Sequence, residues 1–175
     1  MPSFIPVLIL LFVAWFAYTV ISTLWVSAHG APWVPTKLRT VRRMLDMARV
    51  QAGETVYDLG SGDGRVLFVA AREFGARAVG IELDPLRVLW TRGVACLLGV
   101  RNRVEVRRGD FFTQDFRDAD VVVCYLLTST NRRLADKLLD ELRPGVRVVS
   151  NAFPFPDWEL GAEDLEHRVY LYRMP

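Results

Sequence analysis

Cysteine is scarce in this chain. Cys96 and Cys124 are the only two, both lie in apolar stretches, and no C-x-x-C or Cys/His spacing exists. That excludes a disulfide framework and gives no zinc site; no metal is expected. Histidine is equally sparse, with His29 and His167 alone. Lysine is limited to Lys37 and Lys137, and arginine supplies the other 20 of the 22 basic residues. A GC-rich genome accounts for that bias, because a formal charge of +2 gives no reason to expect a nucleic-acid partner. Repeats and low-complexity tracts are missing too, so most of the 175 residues read as one globular unit with enough apolar content for a core.

Charge is absent altogether from Phe4 to Ala28, FIPVLILLFVAWFAYTVISTLWVSA. As a helix this stretch rises about 37 Å, enough to span a hydrocarbon layer of about 30 Å with some tilt. Trp15 and Tyr18 lie within it, and Trp25 and Trp33 lie near its far end, where aromatic belts sit. A core helix would need a polar stripe, and none is visible. A cleaved signal peptide is the rival reading, with Val26-Ser27-Ala28 as the cleavage site. Against it stand the missing basic leader and the length of the apolar run. The expectation is one N-terminal transmembrane helix, with residues 1–29 as anchor and 30–175 as the working domain. The first charges beyond it, Lys37, Arg39, Arg42 and Arg43, are basic. By the positive-inside rule they place that domain in the cytoplasm, so the chain reads as a single-pass membrane protein.

The most informative residues are Asp58-Leu-Gly60-Ser-Gly62-Asp-Gly64. They follow the strand-like Thr55-Val-Tyr57 and precede an apolar helical run from Val66, so they form a strand–glycine loop–helix unit. Glycines there let a ligand approach the backbone, and the helix offers free N–H groups. The dinucleotide pattern G-x-G-x-x-G does not fit, because counting from Gly60 its last position falls on Arg65. An acid at the strand end also repels a pyrophosphate. It suits a ligand with a cationic amino group, such as the methionine part of S-adenosylmethionine. Glu82 ends the next strand, Ala78-Val-Gly-Ile81, and can accept both hydroxyls of a ribose. Asp110 follows the short strand Val104-Glu-Val106 and can accept an adenine amino group, with Phe111 against the ring. One acid past one strand is an ordinary loop residue. Three past successive strands mark a binding edge, since open α/β sheets bind ligands at their carboxyl ends.

The remaining pattern alternates helices with near-continuous apolar runs, as in a parallel sheet covered on both faces. Thr36 is the expected cap of a helix to about Val50, and Asp63–Phe74 is the next helix. Pro85 opens another helix that stops near Gly99. Asp120–Tyr125 is strand four, Ser129 or Thr130 caps a helix through Leu142, and Val146–Asn151 is strand five. After Asn151 the expectation is a closing hairpin of strands at Trp158–Leu160 and Arg168–Arg173.

The loop, Glu82 and Asp110 resemble class I S-adenosylmethionine-dependent methyltransferases, whose α/β Rossmann-like sheet ends in an antiparallel hairpin. Three segments narrow the resemblance: Pro32-Trp-Val-Pro35-Thr36, Tyr125-Leu-Leu-Thr128-Ser-Thr-Asn131, and Arg147 through Trp158. They look like one protein-lysine methyltransferase family, which includes archaeal broad-specificity enzymes. It also includes the mitochondrial enzymes acting on the adenine nucleotide translocase and the ATP synthase c subunit. The mitochondrial members carry an N-terminal membrane segment, but this chain has no Arg-rich presequence, which favours a bacterial inner membrane.

The resemblance implies that Asp58, Gly60 and Gly62 hold the methionine end of the cofactor, Glu82 the ribose, and Asp110 and Phe111 the adenine. Pro35 and Thr36 would lie over it. The alternative for the Pro-Trp-Val-Pro stretch is a membrane-exit spacer. Candidates for an acceptor channel are Tyr125, Asn151, Phe153 and Trp33, each with core packing as its alternative. After strand four there is no Asp/Asn-Pro-Pro-Tyr, the motif of amide and exocyclic amino methylation. The expected substrate is a protein lysine, with a membrane protein as a natural partner. The rival is a lipid or small apolar acceptor on the same fold.

Overall fold

The computed structural model describes residues 4–29 and 34–175; the side chains of 15 and 21–29 are outside that description. Trp33 therefore lies outside the described residues, as do the side chains of Trp15 and Trp25. The chain divides into two compact units, Met1–Val34 and Pro35–Pro175.

In the first unit, helix α1 runs Ile5–His29. Its described aliphatic and phenylalanine side chains are exposed, from Val20 at 43% to Phe4, just ahead of the helix, at 77%, while Tyr18 is half-buried. Among the described residues, however, no helix is long and apolar enough to cross a membrane. Described side chains cover only 5–14 and 16–20 of α1, short of the about 20 apolar residues a bilayer requires. The expected transmembrane helix is thus not shown by them.

The second unit is built on one seven-stranded sheet in the order β3-β2-β1-β4-β5-β7-β6. Strands β1 (Thr55–Leu59), β2 (Arg77–Glu82), β3 (Val104–Arg108), β4 (Val121–Cys124) and β5 (Arg147–Asn151) are parallel. Strand β7 (Val169–Arg173) runs antiparallel between β5 and β6 (Ala162–Asp164). The helices are α2 (Leu38–Met47), α3 (Arg65–Glu73), α4 (Pro85–Leu97) and α5 (Thr128–Glu141). The mixed α/β sheet with its closing hairpin is the architecture expected.

Burial follows from the apolar runs. All four residues of β4 are buried, as are Val56, Tyr57, Val148 and Val149. Each such large side chain is worth roughly 1.5–3 kcal/mol once removed from water. Val41, Met44 and Leu45 of α2 recur at helical spacing and join this core.

Several boundaries differ from expectation. Helix α2 starts after Lys37, so Thr36 is not its cap. Helix α5 starts at Thr128 after an extended Leu127 with no side-chain cap, so Ser129 and Thr130 already lie inside it. The hairpin's first strand is Ala162–Asp164 rather than Trp158–Leu160. Trp158 is instead folded onto Phe155, their rings stacked 4.4 Å apart, with both rings set edge-on to Tyr172 at 5.6 Å. Asp157, at φ +64°, makes the turn that puts it there.

Candidate active site

The chain leaves β1 toward β2 and β3, then returns to lay β4 on the other side of β1. That topological switch opens a crevice at the carboxyl ends of β1 and β4. Asp58 sits there, in register with Gly80 of β2 and Val123 of β4. Its carboxyl is buried, and no donor among the described residues hydrogen-bonds to it. Burial first, then repulsion from Glu82 and Asp63, pushes it up to about 8. A buried acid with no donor is costly unless a cation reaches it. It fits a ligand ammonium group.

The loop after Asp58 is folded by its glycines. Gly60 and Ser61 N–H donate to the Ile81 carbonyl at 2.9 and 3.0 Å. Gly60 takes φ +81°, which side chains resist even though a Cβ there would have space. At Gly64, also +81°, a Cβ would come 2.3 Å from Thr91 Cγ2. Helix α3 starts at the next residue, bringing its free amides to the crevice.

Glu82 is buried at the tip of β2, where its Oε2 accepts from Gly62 N at 2.8 Å and its Oε1 from Asp84 N at 2.9 Å. Desolvation raises its pKa, and those two amide bonds oppose the rise. Glu82 therefore braces the glycine loop and keeps further lone pairs for a ligand's hydroxyls. Asp110 is half-buried, and its Oδ1 accepts from Phe112 N at 2.9 Å, capping a single 3-10 turn, Phe111–Thr113. Phe111 is buried beneath it, with its ring 4.7 Å from that of Phe112.

On the β4–β5 side the structure brings two of the channel candidates together. The Tyr125 and Phe153 rings stack at 6.2 Å, 27° from parallel. Asn151 is buried at the end of β5, with its Nδ2 3.5 Å from Thr36 Oγ1. Thr36 is held from the other side as well, since Arg65 donates to its carbonyl while the same guanidinium pairs with Asp63. Pro35–Thr36 is thus fastened to both the glycine-loop helix and the end of β5.

Reading the sequence missed three of these residues. Asn131 on α5 is fully buried, and its Nδ2 donates to the Phe153 carbonyl at 2.9 Å. Ser150 Oγ donates to the same carbonyl at 2.5 Å. In the sequence Arg65 stands out only as the residue that breaks a dinucleotide motif. Asn131 belongs to the Tyr125–Asn131 segment that carries the resemblance, but an Asn in a first helical turn reads as capping until its long-range partner is seen.

Comparison with known proteins agrees with this geometry. The ANTKMT methyltransferase domain family matches residues 58–162. A protein-lysine N-methyltransferase of Saccharolobus islandicus is 42% identical over 148 residues, covering 81% of this chain and 92% of that protein. The mouse adenine nucleotide translocase lysine N-methyltransferase is 40% identical over 129 residues, covering 73% of this chain; the match spans 56% of the mouse protein. Among solved structures, an RNA methyltransferase of Salinibacter ruber in complex with S-adenosyl-L-homocysteine is 46% identical. It covers 81% of this chain and 94% of that one, with a TM-score of 0.79. The acid-tipped strands, the glycine loop and these likenesses converge. The chain is an S-adenosylmethionine-dependent enzyme and belongs to the ANTKMT methyltransferase domain family.

Proposed function

We propose that this enzyme methylates the side-chain amine of lysine in a protein, and that α1 holds it at a membrane with its catalytic unit in the cytoplasm. The observation that carries the lysine reading is the 42% identity to an archaeal protein-lysine N-methyltransferase along 92% of that protein's length. The acceptor-side residues support it. The Tyr125–Phe153 pair offers apolar walls that lower a lysine's pKa from its reference of about 10.4 by desolvation. The amine must be neutral to attack, so lowering its pKa replaces the need for a strong base. The same rings can hold the methylated ammonium product by cation–π contact. Bound S-adenosylmethionine would supply an electrophilic methyl group to the neutral amine, its S–CH3 bond breaking as the N–CH3 bond forms, with S-adenosylhomocysteine as the leaving group. Asp58 and Glu82 would fix the donor, and the residues at the ends of β4 and β5 would align the acceptor; such positioning supplies roughly 7–11 kcal/mol in well-oriented systems.

The membrane reading is supported by the uncharged stretch over 4–28 and the exposed apolar side chains of α1. The basic run Lys37–Arg43 supports a cytoplasmic catalytic unit, and a bacterial inner membrane suits both.

A second reading is raised by the Salinibacter ruber RNA methyltransferase at 46% identity. Asp58, Asp63, Glu82, Asp84 and Asp110 all lie at or just beyond the carboxyl ends of β1, β2 and β3, and a polyanion is a poor match for an edge so rich in acids. A lipid acceptor on the same fold is the remaining alternative, favoured only by α1. The test uses the full chain in lipid, tritiated S-adenosylmethionine, and a lysate of cells lacking the gene. Label in the protein fraction is the expected result. Label confined to RNA, or to the solvent extract, would overturn the lysine reading.

A further inference from the structure

Helix α4 is amphipathic in the wrong sense for a helix that only covers a sheet. Val88, Thr91 and Ala95 face inward. Outward, at helical spacing, stand Leu86 (50% exposed), Leu89 (67%), Trp90 (63%) and Leu97 (86%), with Gly93 between them. The exposed face of α4 therefore bears a continuous apolar stripe crowned by a tryptophan. Patches of this kind, rimmed by polar groups, mark interaction sites.

The rim is of one sign. From Pro85 to Val104 the chain has four arginines, Arg87, Arg92, Arg101 and Arg103, and no acid. The Arg101 and Arg103 side chains are exposed, and neither guanidinium makes a hydrogen bond or ion pair among the described residues. Together with Arg92 they line an open groove of about 870 Å³ beside edge strand β3, and Gly93 and Cys96 of the stripe line it too. The one acid in that groove, Glu105, is already bonded to Arg77 and Arg107.

The geometry points to α4 and its arginine groove as a docking surface for the headgroup layer of an anionic phospholipid bilayer. Charge decides among the occupants. A second copy meeting this face about a two-fold axis would set arginine against arginine. A nucleic acid would satisfy the arginines and leave Leu89 and Leu97 in water. An anionic lipid surface pairs with the rim while its acyl boundary takes the stripe, and tryptophan is at home in that boundary. Helix α4 begins three residues after Glu82, so docking it sets one wall of the active-site crevice beside the bilayer. A membrane-embedded acceptor then needs to expose its reactive group only at the surface. The surface does not depend on α1.

Cys96 is an exposed free thiol on α4, whereas Cys124 is buried, so Cys96 can carry a polarity-sensitive fluorophore selectively. The labelled full chain is added to preformed vesicles of phosphatidylcholine and phosphatidylglycerol in equal parts, or of phosphatidylcholine alone. With anionic vesicles the label should be quenched by shallow doxyl lipids and shielded from iodide. Leu89→Glu with Leu97→Glu should abolish the lipid quenching. Each of Arg101→Glu and Arg103→Glu should lower the docked-to-free ratio at least about fivefold. A label open to iodide in both vesicles would overturn the proposal. So would shielding from iodide without lipid quenching, since a second copy or α1 would then cover the face. Equal lipid quenching in the variants would also overturn it, because the tether alone would account for it.

Discussion

At the residue scale the decisive group is Asp58. Its native carboxyl sits at about 8 against a usual 3.8. The native state thus holds a proton that the unfolded state has released. Asp58's contribution to stability is present below about 3.8 and is lost as pH rises toward about 8. A ligand ammonium reverses the preference and favours the carboxylate. Binding of S-adenosylmethionine at pH 7 should therefore release a proton, and affinity should rise with pH through that range. Calorimetry in buffers of different ionisation enthalpy measures the release, which should vanish in Asp58→Asn. Unchanged release in that variant would move the coupling to another group.

Glu82 braces the glycine loop, and the proposed cofactor site gives it a ribose to hold as well. Glu82→Ala removes the acceptor of Gly62 N as well as any ribose contact. We expect cofactor affinity to fall by roughly 1–3 kcal/mol, with a matching loss of thermal stability in the free protein. Wild-type affinity by calorimetry would show that it is not the ribose ligand.

At the element scale, the proposed function makes the junction of β5 with α5 the acceptor side. Asn131 and Ser150 both hold the Phe153 carbonyl, while Arg168 exchanges hydrogen bonds with Ala152, itself at φ +64°. Asn131→Ala frees one of those ties, at a cost of roughly 1–3 kcal/mol. It should raise the acceptor KM while leaving cofactor affinity intact. A change confined to cofactor affinity would place Asn131 in the donor site instead. This junction also shows where reading the sequence stops. The strands, the glycine loop and the acids beyond them were legible because a repeating apolar pattern and strand-end position are local signals. The stacking of Tyr125 on Phe153 and the reach of Asn131 depend on contacts across 22 to 28 residues. Trp158 misled the hairpin boundary because an aromatic beside Pro156 and Asp157 reads like a strand end, whereas its ring fills the space over Phe155 and Tyr172.

At the scale of the whole molecule, the proposed function gives the two units separate tasks. The sheet unit holds its own core and all the described site residues. Removing residues 1–29 should leave a domain that unfolds cooperatively and binds S-adenosylhomocysteine as the full chain does. A truncated chain that has lost its cooperative transition would mean that α1 belongs to the fold rather than to a tether.

The central claim is that a neutral lysine amine receives the methyl group. The most direct check is tandem mass spectrometry of a protein methylated by the full chain with deuterated S-adenosylmethionine. The account predicts the heavy methyl on a lysine Nζ, in wild type and not in Asp58→Asn. A heavy methyl on a guanidino, carboxyl or amide group would contradict it.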